Sequence, residues 1–319
     1  MLNSEKAVMI GAENIIMDIK HLDYIITLAD ERSLSIAAQK LSVTQSAISQ
    51  HLTKLEKSLG VPLFNRTNSE WTLTEEGRLY LDMAREIVRL EERTLAAISE
   101  HTGSGSGTVR LGLTMGRGPD MFIHIYPDFH REFPQVHLEP MELSTVRMQE
   151  EIRKGNIDLG IITLPEHQKN TDTYIDLSEE QIYLCLPDSY PVPSSVNTSE
   201  PYPYFPIETL KYEPFVLIYR ESTWRWAIDQ ILSKAKFMPD VLFETASCRT
   251  ILAMIQAGMC IGFLPEYYVK SKPEGIRVFR LPDSPRLKVS ACHRSDSAMT
   301  SAEQYLIRLA GEYFRDTLK

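Results

Sequence analysis

The chain lacks any run of about 20 consecutive apolar residues, the length that a membrane-spanning helix requires. Its N-terminal stretch, MLNSEKAVMIGAENIIMDIKHL, also lacks the basic start, the apolar core and the small-residue cleavage site of a signal peptide. We therefore predict a cytoplasmic protein without a membrane partner. Regular helical spacing begins only after Met17, so we expect residues 1–16 to be an N-terminal extension and Met17 to be an alternative start.

Cysteine is scarce, and the four cysteines form no Cys-x-x-Cys pair. Their scattered positions argue against a structural zinc site or a redox motif and favour buried, reduced thiols. The eight histidines are dispersed, and the chain has no Gly-x-Ser-x-Gly elbow and no phosphate-binding loop. We therefore predict no metal, no cofactor and no catalytic residue. The cysteines are Cys185, Cys248, Cys260 and Cys292.

An excess of positive charge is also absent, because 34 basic residues face 43 acidic ones and give a net charge of -9. Such a sum argues against indiscriminate nucleic-acid binding, although binding sites are local. Residues 17–73 hold six acids and six bases and are neutral, so the negative charge lies in the remainder. That remainder would repel DNA and suppress non-specific binding without blocking one well-placed helix.

Helical spacing and capping residues predict three helices in the first 60 residues. Apolar positions between residues 19 and 29 recur at helical intervals, and Ser33 is placed to cap a short helix that ends at Leu41. A two-residue connection leads to a third helix, Thr44–Leu59, which Gly60 and Pro62 end. Two short extended pieces follow, around the polar turn at residues 67–70.

The stretch AAQKLSVTQSAISQHLTKLEKSLGVPLFNR contains the second and third helices, and their short connection is typical of a helix-turn-helix. The exposed face of the third helix carries Gln, Ser and His where a solvated helix usually carries Lys and Glu. Gln can pair with adenine, Ser can bond either base edge, and short side chains let a helix enter the major groove. A merely solvated polar face is the alternative.

We assign bulk affinity for DNA to phosphate contacts by Lys54, Lys57, Arg66 and the backbone N–H groups at the two helix starts. The predicted DNA-binding residues are Ser33, Thr44, Gln45, Ser46, Ser49, Gln50, Lys54, Arg66 and Asn68.

A long helix is predicted from Thr74 to about His101, with apolar residues alternately three and four apart. We interpret this seam as a dimerisation surface, because densely charged positions flank it. The alternative is a helix packed on its own domain. The predicted dimerisation residues are Tyr80, Met83, Ile87 and Leu90. The segment TGSGSG follows, so we place a linker helix at 75–102 and a flexible hinge at 103–107.

Beyond the hinge, strand and helix patterns alternate, which predicts parallel βαβ units. The first series runs from a strand at residues 109–114 through helices at 121–133 and 146–154 to the strand IDLGIIT. A second series contains the strands QIYLCLP, FVLIY, VLFET and CIGFLP, with helices near 226–235 and 249–257. We assign two lobes, 108–184 with 284–319, and 185–283. The Pro- and Tyr-rich loop 190–206 is either a decorated edge or a lid.

The stretch SLSIAAQKLSVTQSAISQHLTKLEKSLGVPLFNRTNSEWTLTEEG closely resembles the winged helix-turn-helix of LysR-type transcriptional regulators. Its Ala-Ala pair, its Gln-Ser-Ala-x-Ser core and its LTEEG segment stand in the order of that family. Later segments, such as IRKGNIDLGII and MIQAGMCIGFLPE, resemble the effector domain of the family more loosely. The resemblance covers nearly everything from Met17 onward.

The resemblance implies an N-terminal, mainly α winged helix-turn-helix at residues 17–74, a long dimerising linker helix, and an α/β effector domain. The two lobes of that domain would resemble type 2 periplasmic binding proteins, with a small-molecule cleft between them. The expected function is sequence-specific transcriptional regulation under the control of an effector. An α/β-domain enzyme, or a solute-binding protein with a vestigial DNA-binding domain, is the alternative. The implied partners are double-stranded operator DNA, a small anionic effector, further copies of the chain in a dimer or tetramer, and RNA polymerase.

Two departures from the family pattern bear on DNA binding. Gln50 stands where the family commonly has Arg, and the wing segment TNSEWT lacks the usual basic residues. Both changes should weaken phosphate affinity and shift base preference.

Residues after strand ends are the candidates for an effector site, because ligands in open α/β sheets bind beyond the carboxyl ends of the strands. Gly116 stands where the family usually has a hydroxyl, and Thr114 supplies one nearby. Arg117 would either hold an anion over the cleft or be a solvated loop arginine. Thr223 and Arg225 match a family Thr-x-x-Arg region only approximately. The predicted ligand-binding residues are Thr114, Gly116, Arg117, Thr163, Thr223, Arg225, Ser247 and Phe263.

Overall fold

The computed structural model describes residues 19–66, 70–101, 106–197, 199–281 and 284–317. The chain forms two compact units, Met1–Leu95 and Ala96–Lys319. Within the described ranges, no helix combines the length and the apolar composition that crossing a membrane requires. The predictions for residues 1–16, for Asn68 and for residues 103–105 of the hinge fall outside the described residues.

Three helices, a β-hairpin and the start of a long helix make up the first unit. They are α1 (Ile19–Glu31), α2 (Leu34–Lys40), α3 (Gln45–Leu59), β1 (Phe64–Arg66), β2 (Trp71–Leu73) and α4 (Glu75–His101). Ser33 and Thr44 cap α2 and α3 as predicted, since their side chains accept hydrogen bonds from the Ile36 and Ala47 N–H groups. Gly60 ends α3 in the left-handed conformation, with φ of 74°. These predicted helices and the hairpin are confirmed.

The wing packs tightly against the first turn of α4. The hydroxyl of Thr74 donates to the Pro62 and Leu63 carbonyl groups and accepts from the Gly77 N–H. A Cβ atom at Gly77 would lie 2.0 Å from the Leu63 carbonyl oxygen, so only glycine fits there. The close approach of β1 to α4 therefore depends on this residue.

The second unit alternates strands and helices. It contains β3 (Gly107–Thr114), α5 (Arg117–Glu132), β4 (Val136–Leu143), α6 (Thr145–Lys154), β5 (Leu159–Leu164), β6 (Thr173–Pro187), β7 (Pro214–Ile218), α7 (Thr223–Lys234), β8 (Asp240–Thr245), α8 (Cys248–Gln256), β9 (Ile261–Pro265), α9 (Glu266–Lys270), β10 (Ile276–Phe279), β11 (Arg286–His293) and α10 (Ser301–Thr317). Strand β3 pairs in parallel with β4 and β5, and β7 pairs in parallel with β8 and β9, as the alternating pattern predicted.

The strand β6 belongs to both lobes. The strands follow the order β4-β3-β5-β11-β6-β9-β7-β8, and β10 also pairs with β6. Residues 173–181 of β6 pair with β11, whereas residues 182–187 pair with β9 and β10. The two lobes that share β6 have separate apolar cores. One core surrounds Phe129 and Phe314, and the other surrounds Phe215 and Phe263. The predicted two-lobed architecture is confirmed.

Some elements differ from the sequence-based expectation. Helix α5 begins at Arg117, four residues before the predicted start, and so absorbs the Gly-Arg-Gly segment that was expected to be a loop. The first half of β6 was not predicted, because its charged residues obscure the strand pattern. Asp176, for example, is paired with Lys288 and Ser290 of the neighbouring β11. Helix α9 and strand β10 were also not predicted.

We predict that Gly77→Ala destabilises the first unit, because the added methyl group meets a backbone carbonyl that cannot rotate away. Overpacking of this kind costs about 1–3 kcal/mol. Urea unfolding followed by circular dichroism would show the loss. The matched control is Arg78→Ala at the next, exposed helix position. Equal midpoints for the two variants would contradict the tight contact.

Candidate DNA-binding helix and effector cleft

The side chains predicted to read DNA lie on one side of α3. That side is exposed or half-buried and presents Gln45, Ser46, Ser49 and Gln50. The opposite side is buried in the core of the first unit and consists of Ile48, Leu52 and Leu55. The helix can therefore offer a continuous polar face without giving up its packing.

Two of the residues predicted to contact DNA also cap helices. Ser33 and Thr44 accept hydrogen bonds from the first turns of α2 and α3, and the Thr44 hydroxyl lies 3.0 Å from that of Ser46. Accepting this bond leaves the Ser33 hydroxyl proton able to donate to a phosphate oxygen. In the Thr44–Ser46 pair one hydroxyl proton lies between the two oxygens, and the other can donate outward.

The basic side chains of the first unit are largely held by acids of the same unit. Arg66 bonds Glu56 at 2.7 Å, and its Cζ atom lies 5.2 Å from the centre of the Trp71 ring. Three further pairs join Arg32 to Glu70, Lys40 to Glu31 and Arg85 to Asp30. Arg66 was predicted as a phosphate contact, but its pairing with Glu56 was not foreseen.

The residues of the predicted dimerisation seam on α4 differ in their exposure. Tyr80 packs against the core of the first unit and is therefore engaged within its own chain. Its neighbour Leu79 is 70% exposed instead, and Met83 and Leu90 are 37% and 66% exposed. Ile87 is half-buried. At the start of α4 the exposed apolar residue is thus Leu79, one position before Tyr80.

A cleft lies where strands of both lobes end and helices begin. It is lined by Thr114, Met115, Arg117, Leu143, Ser144, Thr145, Thr163, Glu180, Ile218, Tyr219, Ser222, Thr223, Trp224, Ala246, Cys248, Pro265 and Tyr267. Helices α5 to α8 begin at Arg117, Thr145, Thr223 and Cys248, and each of these residues lines the cleft. The cavity volume is about 40 Å³, which is room for only a few non-hydrogen atoms.

The predicted threonines meet in this cleft. Thr114, Thr163 and Thr223 all line it, although they follow three different strands. The Thr223 hydroxyl donates to the Thr163 carbonyl oxygen at 2.6 Å, and Thr145 donates to the same oxygen at 3.4 Å. Because Thr163 lies near the end of β5 and Thr223 begins α7, the first bond links the two lobes directly.

Arg117 lines the cleft but is not the free loop arginine that was considered. It is buried at the start of α5 and forms an ion pair with Glu180 of β6. Its Cζ atom lies 4.6 Å from the Tyr267 ring centre and 4.3 Å from that of Phe314. Burial lowers the pKa of Arg117 to about 10, and its charge is already balanced by Glu180.

The remaining predicted ligand residues do not line the cleft. Arg225 bonds Asp229, Glu244 and the Ile218 carbonyl group. Ser247 caps α8 by accepting from the Thr250 N–H. Phe263 is buried in the core of its lobe and stacks on Phe215. Gly116 adopts φ of 88° and donates its N–H to Glu142, so it turns the chain into α5.

Several lining residues were not predicted. Ser144 and Ser222 cap α6 and α7, and the placement of a serine before each helix was the signal that could have revealed them. The sequence pattern did not reveal Tyr219, Tyr267 and Cys248, because it did not fix the ends of the helices and strands beside them to within one residue. Burial raises the pKa of the Cys248 thiol to about 12, so it is not a reactive thiolate at neutral pH. The described residues contain no cluster of three or more His, Cys, Asp or Glu side chains placed to hold a metal.

Comparison with known proteins links both units to one family. The LysR substrate binding domain matches residues 102–315, and the lysR-family bacterial regulatory helix-turn-helix matches residues 19–78. The HTH-type transcriptional regulator AlsR of Bacillus subtilis is 28% identical over 253 residues, which is 78% of this chain and 80% of the relative. The transcriptional dual regulator OxyR of Escherichia coli is 27% identical over 296 residues, 91% of this chain and 93% of the relative.

Solved structures agree with this likeness. A full-length OxyR variant from Pseudomonas aeruginosa has a TM-score of 0.65 and 25% identity, covering 94% of this chain and 95% of that one. CbnR in complex with its target DNA has a TM-score of 0.57 at 20% identity, covering 94% and 100%, and so shares the fold. The chain belongs to the LysR family of bacterial helix-turn-helix transcriptional regulators.

Proposed function

We propose that this DNA-binding regulator is controlled by a small anionic effector in the cleft between its two lobes. The observation that carries the proposal is the convergence of four helix starts, those of α5 to α8, on one small cavity. The first turn of a helix presents unpaired N–H groups and a partial positive charge, and both favour an anion. The hydroxyls of Thr114 and Ser144 add donors at the same place.

The charge balance of the cleft limits the kind of effector. Because Glu180 already neutralises Arg117, an incoming carboxylate would be stabilised by helix starts and hydroxyls and not by an unpaired guanidinium. The small cavity volume favours a ligand of few atoms, or a cleft that opens for a larger one. A small monoanion, such as a short carboxylate, fits both features best.

On the DNA side, we propose that Gln45, Ser46, Ser49 and Gln50 face the major groove while Lys54 and Arg66 contact phosphates. Dimers would form through α4, by Met83, Ile87 and Leu90 together with Leu79, and would assemble further into tetramers. A symmetric dimer reads a dyad, so the operator should be an interrupted inverted repeat. Contact with RNA polymerase and a cytoplasmic location complete the proposal.

Control requires the effector to bind two arrangements of the lobes with different affinity. We propose that the bond between Thr223 and Thr163, which links the two lobes here, is a contact that a more open arrangement would lose. A tenfold change in DNA occupancy needs about 1.4 kcal/mol of coupling, and DNA must then change effector affinity by the same factor.

We predict that Gln50→Ala relaxes sequence preference at one operator base pair, with a loss of about 1–3 kcal/mol of discrimination. The matched comparison is Lys54→Ala, one turn further along the exposed face, which should weaken all sequences alike and lower the log–log salt slope by about one unit. Selection from a randomised duplex library, followed by binding titrations in a potassium chloride series, measures both. Unchanged preference in the Gln50 variant would remove it from the reading face.

We predict that Leu79→Asp combined with Leu90→Asp gives monomers, because both side chains are exposed on the apolar side of α4. Light scattering would report the mass. Tyr212→Asp is the control, since Tyr212 is also highly exposed but lies in the second lobe. An oligomeric double variant that still binds DNA would show that the seam lies elsewhere.

We predict that Thr223→Val weakens effector binding about fivefold, because losing the bond to Thr163 makes the effector-binding arrangement of the lobes about 1 kcal/mol less favourable. The probe is the short carboxylate that gives the largest thermal shift with the parent protein. Calorimetric titration with and without operator DNA compares the parent with Thr223→Val and with Thr209→Val, an exposed threonine outside the cleft. Equal affinities throughout would eliminate both the site and the coupling.

A further inference from the structure

One carboxylate ties the recognition helix α3 to the wing. Glu56 is in the last part of α3, and its Oε1 atom accepts hydrogen bonds from the Leu63 N–H at 2.8 Å and the Phe64 N–H at 3.3 Å. Its Oε2 atom bonds the Arg66 guanidinium at 2.7 Å. The Glu56 side chain is only 13% exposed, so this acceptor is fixed by the fold and not by a chance surface encounter.

Arg66 is held from a second direction. It faces Trp71 across the β1–β2 hairpin in direct register, and its Cζ atom lies over the indole ring. A guanidinium fixed by a carboxylate and an aromatic face keeps less rotational freedom than a solvated arginine side chain. It nevertheless remains 46% exposed, so it can still donate outward to a phosphate.

Two other ion pairs of the unit are different in kind. Arg32 and Glu70 are both well exposed, and exposed pairs of this sort hold their partners weakly. Lys40 pairs with Glu31 through a single ammonium group on a flexible stem, with no backbone N–H of the wing involved. Among these pairs, the one made by Glu56 couples a cation, a recognition helix and a wing strand through one side chain.

We propose that Glu56 is a positioning residue that increases operator specificity by holding Arg66 for a single phosphate geometry; the inference rests on the phosphate contact proposed above. A pre-oriented guanidinium loses little entropy when a phosphate stands at the matching place. The negative charge of Glu56 also penalises phosphates that approach Arg66 from other directions. A specific complex has a fixed register, so its phosphate meets Arg66 in the favoured geometry and its affinity rises. A non-specific complex has no fixed register and does not gain this affinity.

The test uses the full chain and four proteins: the parent, Glu56→Gln, Arg66→Gln and the double variant. Gln at position 56 keeps a carbonyl oxygen for the Leu63 and Phe64 N–H groups and removes the charge that holds Arg66. The probes are the duplex most enriched by the parent from a random library and a shuffled duplex of the same composition. Binding is measured over a potassium chloride series, and thermal unfolding shows that each variant is folded. Glu31→Gln, which frees Lys40 in the same unit, is the matched control.

We expect Glu56→Gln to bind the shuffled duplex more tightly and to lower the ratio of specific to non-specific affinity by roughly fivefold, the size of the ordering cost of one long side chain. In the Arg66→Gln background the same substitution should leave that ratio unchanged, because Glu56 acts through Arg66. The Glu31→Gln control should raise affinity for both duplexes alike and preserve the ratio.

Three results would overturn the inference. The ratio could stay constant in Glu56→Gln, it could fall equally in both Arg66 backgrounds, or it could fall equally in Glu31→Gln. An equal fall of the affinity ratio in both Arg66 backgrounds would mean that Glu56 acts only by stabilising the wing through the Leu63 and Phe64 N–H groups. Failure of the parent to enrich any duplex would instead refute sequence-specific binding itself, which separates that failure from the failure of the positioning role.

Discussion

The buried ion pair between Arg117 and Glu180 determines what the cleft can offer a ligand. Glu180 is almost wholly buried, and a carboxylate in that position needs a cation, since an unpaired buried charge costs several kcal/mol. Arg117 comes from the start of α5, and Glu180 lies in β6 immediately before that strand passes from one lobe to the other. The pair therefore stabilises the region where the lobes are joined. The cleft is left with helix starts and hydroxyls as its means of binding an anion.

Much of the fold was predictable because it depends on local patterns. Capping by Ser33 and Thr44, the left-handed glycine after α3 and the period of apolar residues all act within a few positions of each other. The parts that were not predicted depend on contacts between distant positions. The charged first half of β6 forms a strand because Asp176 and Glu179 meet Lys288 and Arg286 of β11, more than a hundred residues later. No window of the sequence contains that information.

Residues of the candidate effector cleft could be predicted from the sequence only where the position of strand ends was enough to place them. The three threonines line one cleft because residues at or after the carboxyl ends of the strands come together in such sheets. Arg225 and Ser247 lie just outside the cleft lining, since two residues along a helix change the face and one residue separates a capping serine from the lining Cys248. A similar one-residue difference on α4 leaves Tyr80 packed inward and Leu79 exposed. Which of two neighbouring residues is exposed depends on how the helices and strands pack, and the periodicity of one helix does not contain that information.

Charge connects the two halves of the proposed mechanism. Residues 17–73 are neutral in sum, several basic side chains of the first unit are paired with its own acids, and Gln50 offers no charge to the DNA backbone. A single copy should therefore bind DNA weakly, because phosphate neutralisation supplies most of the non-specific affinity. In the proposed assembly, linking copies through α4 would compensate without new contacts, since the second half-site is then met at high effective concentration. Occupancy would then be sensitive to the geometry of the assembly, which the proposed ligand between the lobes would alter. Weak binding by one copy is thus the condition under which the proposed effector could regulate.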